Sequence, residues 1–295
     1  RPASRCEDGR RPWRALLAAA TTARVCPMNT EQIGLVTVAR SDWGHTSLLH
    51  AALGCHVIPC GTPLAHCEAV IIPTDRHEMG EMAMQALGVG VPIIQLHAGE
   101  STPYAFDDDI RHFISRVAAL RFCCHEVHRQ RLLSMGIPDA TIHVCGAPGL
   151  DKFLLPRMSR AVLAHQLQLD VERAWAVVIL HPTTRGPSNP AAEMAEALTA
   201  IGDRQALWFT PCRDPGREAY LRPGQLAHVT GAQWRALLSE ADVLIGNSSS
   251  LIIEAPFVGL KTIEIGRRQE GRNRVPYGDG KSVPRIVEVL RQWTP

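Results

Sequence analysis

The segment from residue 242 to residue 254 has the residue types and spacing of an anion-binding loop. A short apolar strand predicted at 243–245 leads into a Gly-Asn pair and three consecutive serines, and the residues from Leu251 onward predict a helix. Unpaired N–H groups at a helix start, serine hydroxyls and the helix dipole together favour a diphosphate without a metal, and a carboxylate further on could bind ribose hydroxyls. The candidate ligands are Asn247, Ser248, Ser249, Ser250 and Glu254.

A second group of polar residues follows other predicted strands or opens the next helix. The carboxyl ends of parallel strands meet at one edge of a sheet, so we expect these side chains to line one crevice. Carboxylates and imidazoles gathered in a cleft can exchange protons with a bound substrate. The group comprises Asp75, Arg76, His97, Glu100, Asp107, Arg111 and His112 in the first half of the chain and His181 in the second.

Alternating strand and helix patterns must position these residues. Short buried strands are predicted at residues 33–39, 69–73, 92–96, 120–124, 141–144, 176–180, 206–210, 243–245 and 262–265, with helical patterns between most of them. This alternation predicts an α/β protein with doubly wound parallel sheets, and a break near 146–151 divides it into comparable halves. The sequence contains no GxGxxG segment, so it does not support a nicotinamide or flavin cofactor.

Length and composition narrow the class of protein. The 295 residues are 45% hydrophobic and 20% charged, which is typical of a globular chain with two domains, and the longest apolar run is too short to cross a membrane. The 25 basic and 27 acidic residues after residue 27 give a formal charge of −2, so no nucleic-acid partner is expected. Nine scattered Cys without a CxxC pair favour reduced thiols in a cytoplasmic protein and predict no metal site.

Residues 1–27 differ in character from the rest of the chain. They begin with Arg, contain six Arg in total, and end immediately before Met28. We expect a non-native or disordered extension, with Met28 as the start of the folded protein. A shortened targeting peptide is the alternative, because residues 13–20 form a small apolar core after basic residues.

Several short motifs follow one another in an order shared with a known family. They read VARSDWG at 38–44, DRHEM at 75–79, HAGE at 97–100, FDDDIRH at 106–112, VCGAPGLD at 144–151, HP at 181–182, GNSSS at 246–250 with EAP at 254–256, and IGRRQEGR at 265–272. Together they resemble the UDP-N-acetylglucosamine 2-epimerase family, and within it the hydrolysing branch used for sialic acid and related nonulosonic acid precursors. The resemblance covers roughly residues 33–53 and 69–275.

The resemblance implies a glycosyltransferase-B-like fold of two Rossmann-like domains, with a UDP-sugar between them, no metal and no cofactor. We expect an N-terminal domain at 28–148 with the acid/base residues, a UDP-binding domain at 149–275, and a C-terminal tail or helix at 276–295 that packs back on the N-terminal domain. The N-terminal domain should be shortened, since only 16 residues separate Leu53 from Val70, room for one compact connection. A homodimer is usual in such families.

The implied reaction releases UDP and N-acetylmannosamine. Carbon C2 of the sugar has no adjacent carbonyl, so inversion proceeds by elimination of UDP to a 2-acetamidoglucal, followed by addition of water at C1 and of a proton at C2 from the other face. This chemistry needs acid/base groups on both faces and support for the departing diphosphate. The candidate acid/base residues are Asp75, Glu100, Asp107, His97 and His181, and Arg40, Ser248, Ser249 and Arg268 would hold the diphosphate, with Glu254 on the ribose.

Each assignment has an alternative that involves no chemistry. Asp107 and the two aspartates after it could simply cap a helix, and His181 could pack at a strand end. The arginines at 267, 268, 272 and 274 could form a solvated basic face, and Asp75 could pair with Arg76. Other functions also remain open: a 2-epimerase for a 2,4-diacetamido-trideoxy UDP-sugar, a non-hydrolysing 2-epimerase, a transferase, or a catalytically silent nucleotide-sugar-binding remnant.

Overall fold

The computed structural model describes residues 30–38 and 40–294. The predictions for residues 1–27 fall outside the described residues, and so does the side chain of Arg40. No helix in the described part of the chain is long and apolar enough to cross a membrane.

The first half forms a six-stranded, fully parallel sheet of order β2-β1-β3-β4-β5-β6. Its strands are β1 (Ile33–Thr37), β2 (His56–Pro59), β3 (Ala69–Ile72), β4 (Ile93–Gln95), β5 (Leu120–Cys123) and β6 (Ile142–Val144). The connecting helices are α1 (Arg40–Leu53), α2 (His77–Val89), α3 (Asp107–Val117) and α4 (Glu126–Ser134).

The segment between Leu53 and Val70 corrects a prediction, because it was expected to supply only a connection. It contains β2, which pairs in parallel with β1 and extends the sheet by an edge strand. An edge strand needs burial on few positions, and three of the four β2 residues are exposed. The usual apolar signal of a buried parallel strand is therefore missing from this segment.

The second half forms a four-stranded parallel sheet of order β10-β9-β7-β8. Its strands are β7 (Trp175–Ile179), β8 (Gln205–Phe209), β9 (Val243–Gly246) and β10 (Thr262–Glu264). The helices are α5 (Arg160–Leu167), α6 (Pro190–Ile201), α7 (Gly231–Glu240), α8 (Glu254–Val258) and α9 (Ser282–Gln292). Each of the nine predicted strands corresponds to one observed strand with ends within two residues, and the predicted α/β fold with two parallel sheets is confirmed.

Apolar residues cover both faces of each sheet. On β1, Ile33 and Leu35 face one cluster while Val36 faces another, as the two-residue period of a strand requires. The first cluster includes Leu49 of α1 together with Ile286 of α9, so the last helix packs against the first sheet although it follows the second. This packing ties the end of the chain to the N-terminal half.

Each sheet has a point where the chain reverses its direction of travel across the sheet. In the first sheet β1 lies between β2 and β3, and in the second β7 lies between β8 and β9. Neighbouring loops leave in opposite directions at such a point, which opens a crevice at the carboxyl ends of the strands. The site-forming residues of both halves follow these strand ends.

Candidate active site

Glu100 lies at the centre of the first wall, in the loop that follows β4. Its side chain is 2% exposed, one carboxylate oxygen lies 2.6 Å from Nδ1 of His97, and the other accepts a hydrogen bond from Arg272. Burial alone would raise the pKa of Glu100, but the Arg272 guanidinium and the His97 imidazole hold that pKa well below its ordinary value. Glu100 is therefore ionised at neutral pH.

The loop that carries Glu100 has a constrained backbone. His97 adopts φ 54°, a left-handed conformation that is uncommon for a residue with a side chain. Gly99 has φ 74°, and a Cβ there would lie 2.3 Å from the carbonyl oxygen of His128. This turn places the His97 and Glu100 side chains against each other.

Asp75, after β3, pairs with Arg111 rather than with its neighbour Arg76. The Arg111 guanidinium also donates to Asp108 at 2.7 Å and to the Thr102 hydroxyl at 3.1 Å. Arg111 is itself buried on α3. It fixes the position of the Asp75 carboxylate, and the alternative of a local Asp75–Arg76 pair is wrong.

Asp107 opens α3 as predicted and lies at the contact between the two halves. Its carboxylate is 3.3 Å from the guanidinium of Arg268, which also contacts Asp214 at 3.1 Å. Burial and the nearby Asp75 carboxylate raise the pKa of Asp107 to about 7, and Arg268 offsets this only in part. A carboxyl group with this pKa can give or take a proton at neutral pH.

This shifted pKa predicts a pH-dependent stability that can be measured. Between about pH 4 and pH 7 the unfolded chain releases the Asp107 proton while the folded protein keeps it, so the free energy of unfolding should fall as pH rises through that window. Asp107→Asn cannot ionise. Near pH 4 the free energy of unfolding of this variant should match that of the wild type. Above pH 7 it should be higher by at least about 1 kcal/mol, as measured by urea unfolding.

Asp109→Asn is the matched control for this measurement, because Asp109 is on the same helical turn and its side chain is 72% exposed. This variant should follow the wild-type pH dependence. Parallel pH profiles for the wild type and Asp107→Asn would contradict a raised Asp107 pKa.

The second wall is built at the ends of β7 and β9. The backbone N–H of His181 donates to the Asn247 side chain at 2.7 Å, and the Asn247 amide returns a hydrogen bond to the His181 carbonyl at 2.9 Å. Gly246 permits this close approach, since a Cβ there would lie 1.9 Å from the Ile179 carbonyl oxygen. The last position of β9 therefore needs glycine for a steric reason.

His181 is neutral at physiological pH. Burial, with further contributions from Arg268 and Arg76, lowers its pKa to about 3. Its Nδ1 accepts the Cys212 N–H at 2.9 Å, so the ring proton is on Nε2. In this state His181 can act only as a hydrogen-bond donor through Nε2.

A chain of hydrogen bonds joins the two walls. The Gln269 amide donates to the Asn247 carbonyl at 2.8 Å and accepts from Arg272 at 3.2 Å, and Arg272 continues to Glu100. Tyr277 accepts a further hydrogen bond from Arg272 at 3.2 Å. Arg272 is thus a buried link between the halves, and so is Arg268, which corrects the alternative of a solvated face for these two arginines.

The serine loop differs from prediction in its secondary structure. Ser249–Leu251 is a 3₁₀ turn whose first residue follows Ser248, and the α-helix α8 begins only at Glu254. Pro256 explains the late start, because it has no N–H for the Ile252 carbonyl and its ring would clash there. The hydroxyl of Ser248 accepts from the Ser250 N–H at 3.3 Å. The backbone N–H groups of residues 250–253 already donate to Ser248 and Ser249, so the loop offers an anion its serine hydroxyls, without the dipole of a long helix.

Glu254 opens α8 and is buried. Lys152 donates a hydrogen bond to its carboxylate at 2.6 Å, and the Trp234 indole N–H donates to the same carboxylate at 3.2 Å. Burial would raise the pKa of Glu254, but Lys152 and then His45 outweigh it and the pKa lies below its ordinary value. Ionised Glu254 has oxygen lone pairs for a hydroxyl-bearing ligand.

The remaining predicted residues occupy the rim of this cluster. The side chain of Arg76 lies 3.7 Å from Asp42, and His112 lies 3.7 Å from Asp108. The sequence analysis missed Lys152, Gln269 and the role of Arg272, although the matched 265–272 motif contains two of them. Among the described residues, one group of metal-type ligands lies together, formed by His97, Glu100 and Cys124.

A profile of the family described as UDP-N-acetylglucosamine 2-epimerase matches residues 62–275. A Legionella pneumophila protein named UDP-N,N'-diacetylbacillosamine 2-epimerase (hydrolyzing) is 29% identical over 82% of this chain and 67% of its own length. A Neisseria meningitidis UDP-N-acetylglucosamine 2-epimerase is 29% identical over 73% of this chain and 59% of its own. The chain thus spans about two thirds or less of the length of these relatives.

Solved structures show the same fold. A UDP-GlcNAc 2-epimerase from Neisseria meningitidis, bound to UDP-GlcNAc, aligns with a TM-score of 0.66 and 12% identity over 88% of this chain and 100% of its own. The Methanocaldococcus jannaschii UDP-GlcNAc 2-epimerase, in complex with UDP-GlcNAc and UDP, aligns with a TM-score of 0.65 and 14% identity over 88% and 99%. At this identity the likeness establishes the architecture, two Rossmann-like units in a glycosyltransferase-B-like arrangement.

Proposed function

The chain belongs to the UDP-N-acetylglucosamine 2-epimerase family, and on that premise we propose that it is a hydrolysing 2-epimerase of a UDP-linked 2-acetamido sugar. One observation carries the proposal: two carboxyl groups of the candidate site have pKa values shifted in opposite directions. Glu100 is held ionised, whereas the pKa of Asp107 is raised to about 7. Environments that separate two carboxyl pKa values in this way distinguish a charged base from a proton-exchanging acid.

The proposed reaction has two steps, an elimination and an addition. In the first, the C2 proton leaves the sugar and the C1–O bond breaks, which releases UDP and a C1=C2 glycal. In the second, a hydroxide equivalent from water adds to C1 and a proton adds to C2 from the other face. The His97–Glu100 pair would serve one face and Asp107 the other, with Asp75 beside Asp107 sustaining its raised pKa.

The orientation of His97 supports its role as proton acceptor. With Glu100 bonded at Nδ1, the proton is on that nitrogen. Its Nε2 is buried and has no hydrogen-bond partner among the described residues. A nitrogen lone pair in that state can accept a proton.

The halves must separate for substrate to reach these groups. Arg272 covers Glu100 and Arg268 covers Asp107, and both arginines come from the second half. A diphosphate is a strong competitor for guanidinium groups, because it accepts bidentate, charge-assisted hydrogen bonds. We propose that the substrate diphosphate draws Arg268 from Asp107, with Arg40 and the serine loop completing the binding site and Glu254 on the ribose.

The serine loop gives a direct test of UDP binding. Combined Ser248→Ala and Ser249→Ala substitution should raise the UDP dissociation constant about 10- to 100-fold, because two hydroxyl donors to a charged group are lost. Isothermal titration calorimetry measures this. Thr199→Ala, which removes an exposed hydroxyl from α6 in the same half, is the control. An unchanged constant in the serine variant would place the diphosphate elsewhere.

The function itself is tested with UDP-N-acetylglucosamine in deuterated water, with UDP release and the sugar product followed by NMR. The proposal expects UDP and N-acetylmannosamine carrying deuterium at C2, since elimination exchanges that hydrogen with solvent. Release of UDP with unepimerised sugar would refute the epimerase and leave a simple hydrolase. An epimerised sugar still attached to UDP would assign the chain to the non-hydrolysing reaction.

A second substrate has specific support. A Legionella pneumophila relative named for UDP-N,N'-diacetylbacillosamine and a Campylobacter jejuni relative named for the GDP- or UDP-linked form, both hydrolysing 2-epimerases by name, are each 29% identical to the chain over the aligned residues. The 4-acetamido, 6-deoxy sugar should therefore be assayed in parallel, and its kcat/KM compared with that of UDP-N-acetylglucosamine. We also propose that the protein acts in sialic or nonulosonic acid synthesis and that it is a homodimer. Light scattering on the purified chain measures the oligomeric state.

A further inference from the structure

The thiol of Cys124 lies against the His97–Glu100 pair. Cys124 follows β5 directly, and β5 is the neighbour of β4, whose end leads to His97. Its Sγ is 3.3 Å from Nδ1 of His97 and 3.4 Å from a carboxylate oxygen of Glu100, while that nitrogen and oxygen are 2.6 Å apart. Thiol, imidazole and carboxylate thus converge on one point.

These three atoms have the identity and spacing of a zinc ligand set. Tetrahedral zinc with bonds of about 2.0–2.1 Å to nitrogen and oxygen and about 2.3 Å to sulfur separates its ligand atoms by roughly 3.3–3.6 Å. Both sulfur distances already fall in or next to that range. The nitrogen–oxygen distance is shorter because a hydrogen bond joins these atoms, and an ion that replaced the shared hydrogen would widen it by about 0.7 Å.

We propose that His97, Glu100 and Cys124 form a site for a thiophilic divalent cation such as Zn²⁺, and that occupancy of this site blocks the acid/base pair. A thiolate and a carboxylate together neutralise the charge of the ion. Binding releases the Cys124 thiol proton to solvent and moves the His97 ring proton from Nδ1 to Nε2, while Glu100 is already ionised. Water fills the fourth position.

The ion would replace the hydrogen bonds among His97, Glu100 and Cys124 and leave the bond between Arg272 and Glu100 in place. Arg272 holds the other oxygen of Glu100, so the oxygen facing Cys124 can bind a metal once its hydrogen bonds to His97 and Cys124 are replaced. Cys124 and Glu100 are buried, and the His97 side chain is 14% exposed. The separation of the halves that admits a nucleotide sugar would also admit a hydrated cation.

The inhibitory consequence rests on the proposed function. A metal-bound Glu100 is no longer a hydrogen-bonded carboxylate for His97, and His97 Nε2 then carries a proton and cannot accept one. Turnover should stop with the metal bound and return when a chelator removes it. Cation binding itself does not depend on which sugar the protein uses.

The test is titration of the full chain with Co²⁺ as an optical substitute for Zn²⁺. The expected result is a thiolate-to-cobalt charge-transfer band that Zn²⁺ displaces, with affinity lowered at least about 100-fold in Cys124→Ala and in Cys124→Ser. Cys145→Ala, which removes a buried thiol after the next strand, should keep the band. Circular dichroism confirms that each variant is folded.

Two results would overturn the metal-binding half of the inference. A folded wild type with no cobalt–thiolate band has no such site, and an equally strong band in Cys124→Ala places the metal on another thiol. For the inhibitory half, Zn²⁺ should inhibit the wild type at concentrations at least about 100-fold below those needed for Cys124→Ala, each compared with its own chelator-treated rate. Equal inhibition of the wild type and Cys124→Ala by Zn²⁺ would overturn the inhibitory half. A protein inactive on every UDP-sugar would refute the proposed function, and the cobalt result would still stand.

Discussion

Asp107→Asn should lower kcat by about 10²- to 10⁴-fold, the usual contribution of a positioned general acid or base. The amide keeps the shape of the side chain but cannot exchange a proton, and it replaces a carboxyl group whose pKa of about 7 suits transfer at neutral pH. UDP should still bind, since the serine loop on the opposite wall is unchanged and Arg268 loses a competing carboxylate. Steady-state kinetics and calorimetry separate the two effects.

Asp109→Asn provides the comparison for activity as well as for stability. It removes a carboxylate of the same helical turn that is exposed and pairs with Arg185. Its turnover should stay close to the wild-type value. If Asp107→Asn retained full activity, Asp107 would have no part in the mechanism, and its raised pKa would be only a consequence of burial.

Arg272→Met should destabilise the protein by about 3–5 kcal/mol, the cost of leaving one member of a buried ion pair without its partner. In the wild type the depressed pKa of Glu100 contributes stability above its unfolded pKa, and that contribution is lost as pH falls through the folded pKa. Without Arg272, burial becomes the main influence and raises the pKa. The variant should therefore lose stability most at neutral and alkaline pH, and urea unfolding at several pH values measures this.

Two further variants separate the ion pair from general disruption. Arg274→Met removes an arginine two positions away that pairs with Glu264 at the surface, where its side chain is 57% exposed, and should cost no more than about 1 kcal/mol. Adding Glu100→Gln to Arg272→Met removes the uncompensated charge and should restore much of the lost stability. A double variant as unstable as the single one would show that Arg272 acts by packing rather than through Glu100.

The sequence by itself determined the elements and their order. Runs such as Val70–Ile72 and Trp175–Ile179 are apolar throughout and rich in β-branched residues because both faces of a parallel strand are buried, so each strand is recognisable from local residues. Asp107 at a helix start and the polar residues after strands could likewise be located, since helix ends and strand ends have local signatures. The family motifs lie in these same loops.

Two elements differ from the prediction, and for different reasons. The edge strand β2 is exposed on most positions, so little apolar pattern marks it. The late start of α8 did have a signal in Pro256, whose ring excludes a helix beginning at Leu251. The start of α8 could therefore be predicted from local residues, whereas β2 is defined only by its pairing with β1.

The tertiary structure alone decided the charge states of the candidate site. Glu100 is ionised because Arg272, 172 positions away, reaches it, and Asp107 has a raised pKa because Asp75 and burial outweigh Arg268. The meeting of Cys124 with His97 and Glu100 likewise depends on β4 and β5 being neighbours. A pKa reflects every charge within a few ångströms and the solvent excluded around it, and neither is a property of the residues adjacent in sequence.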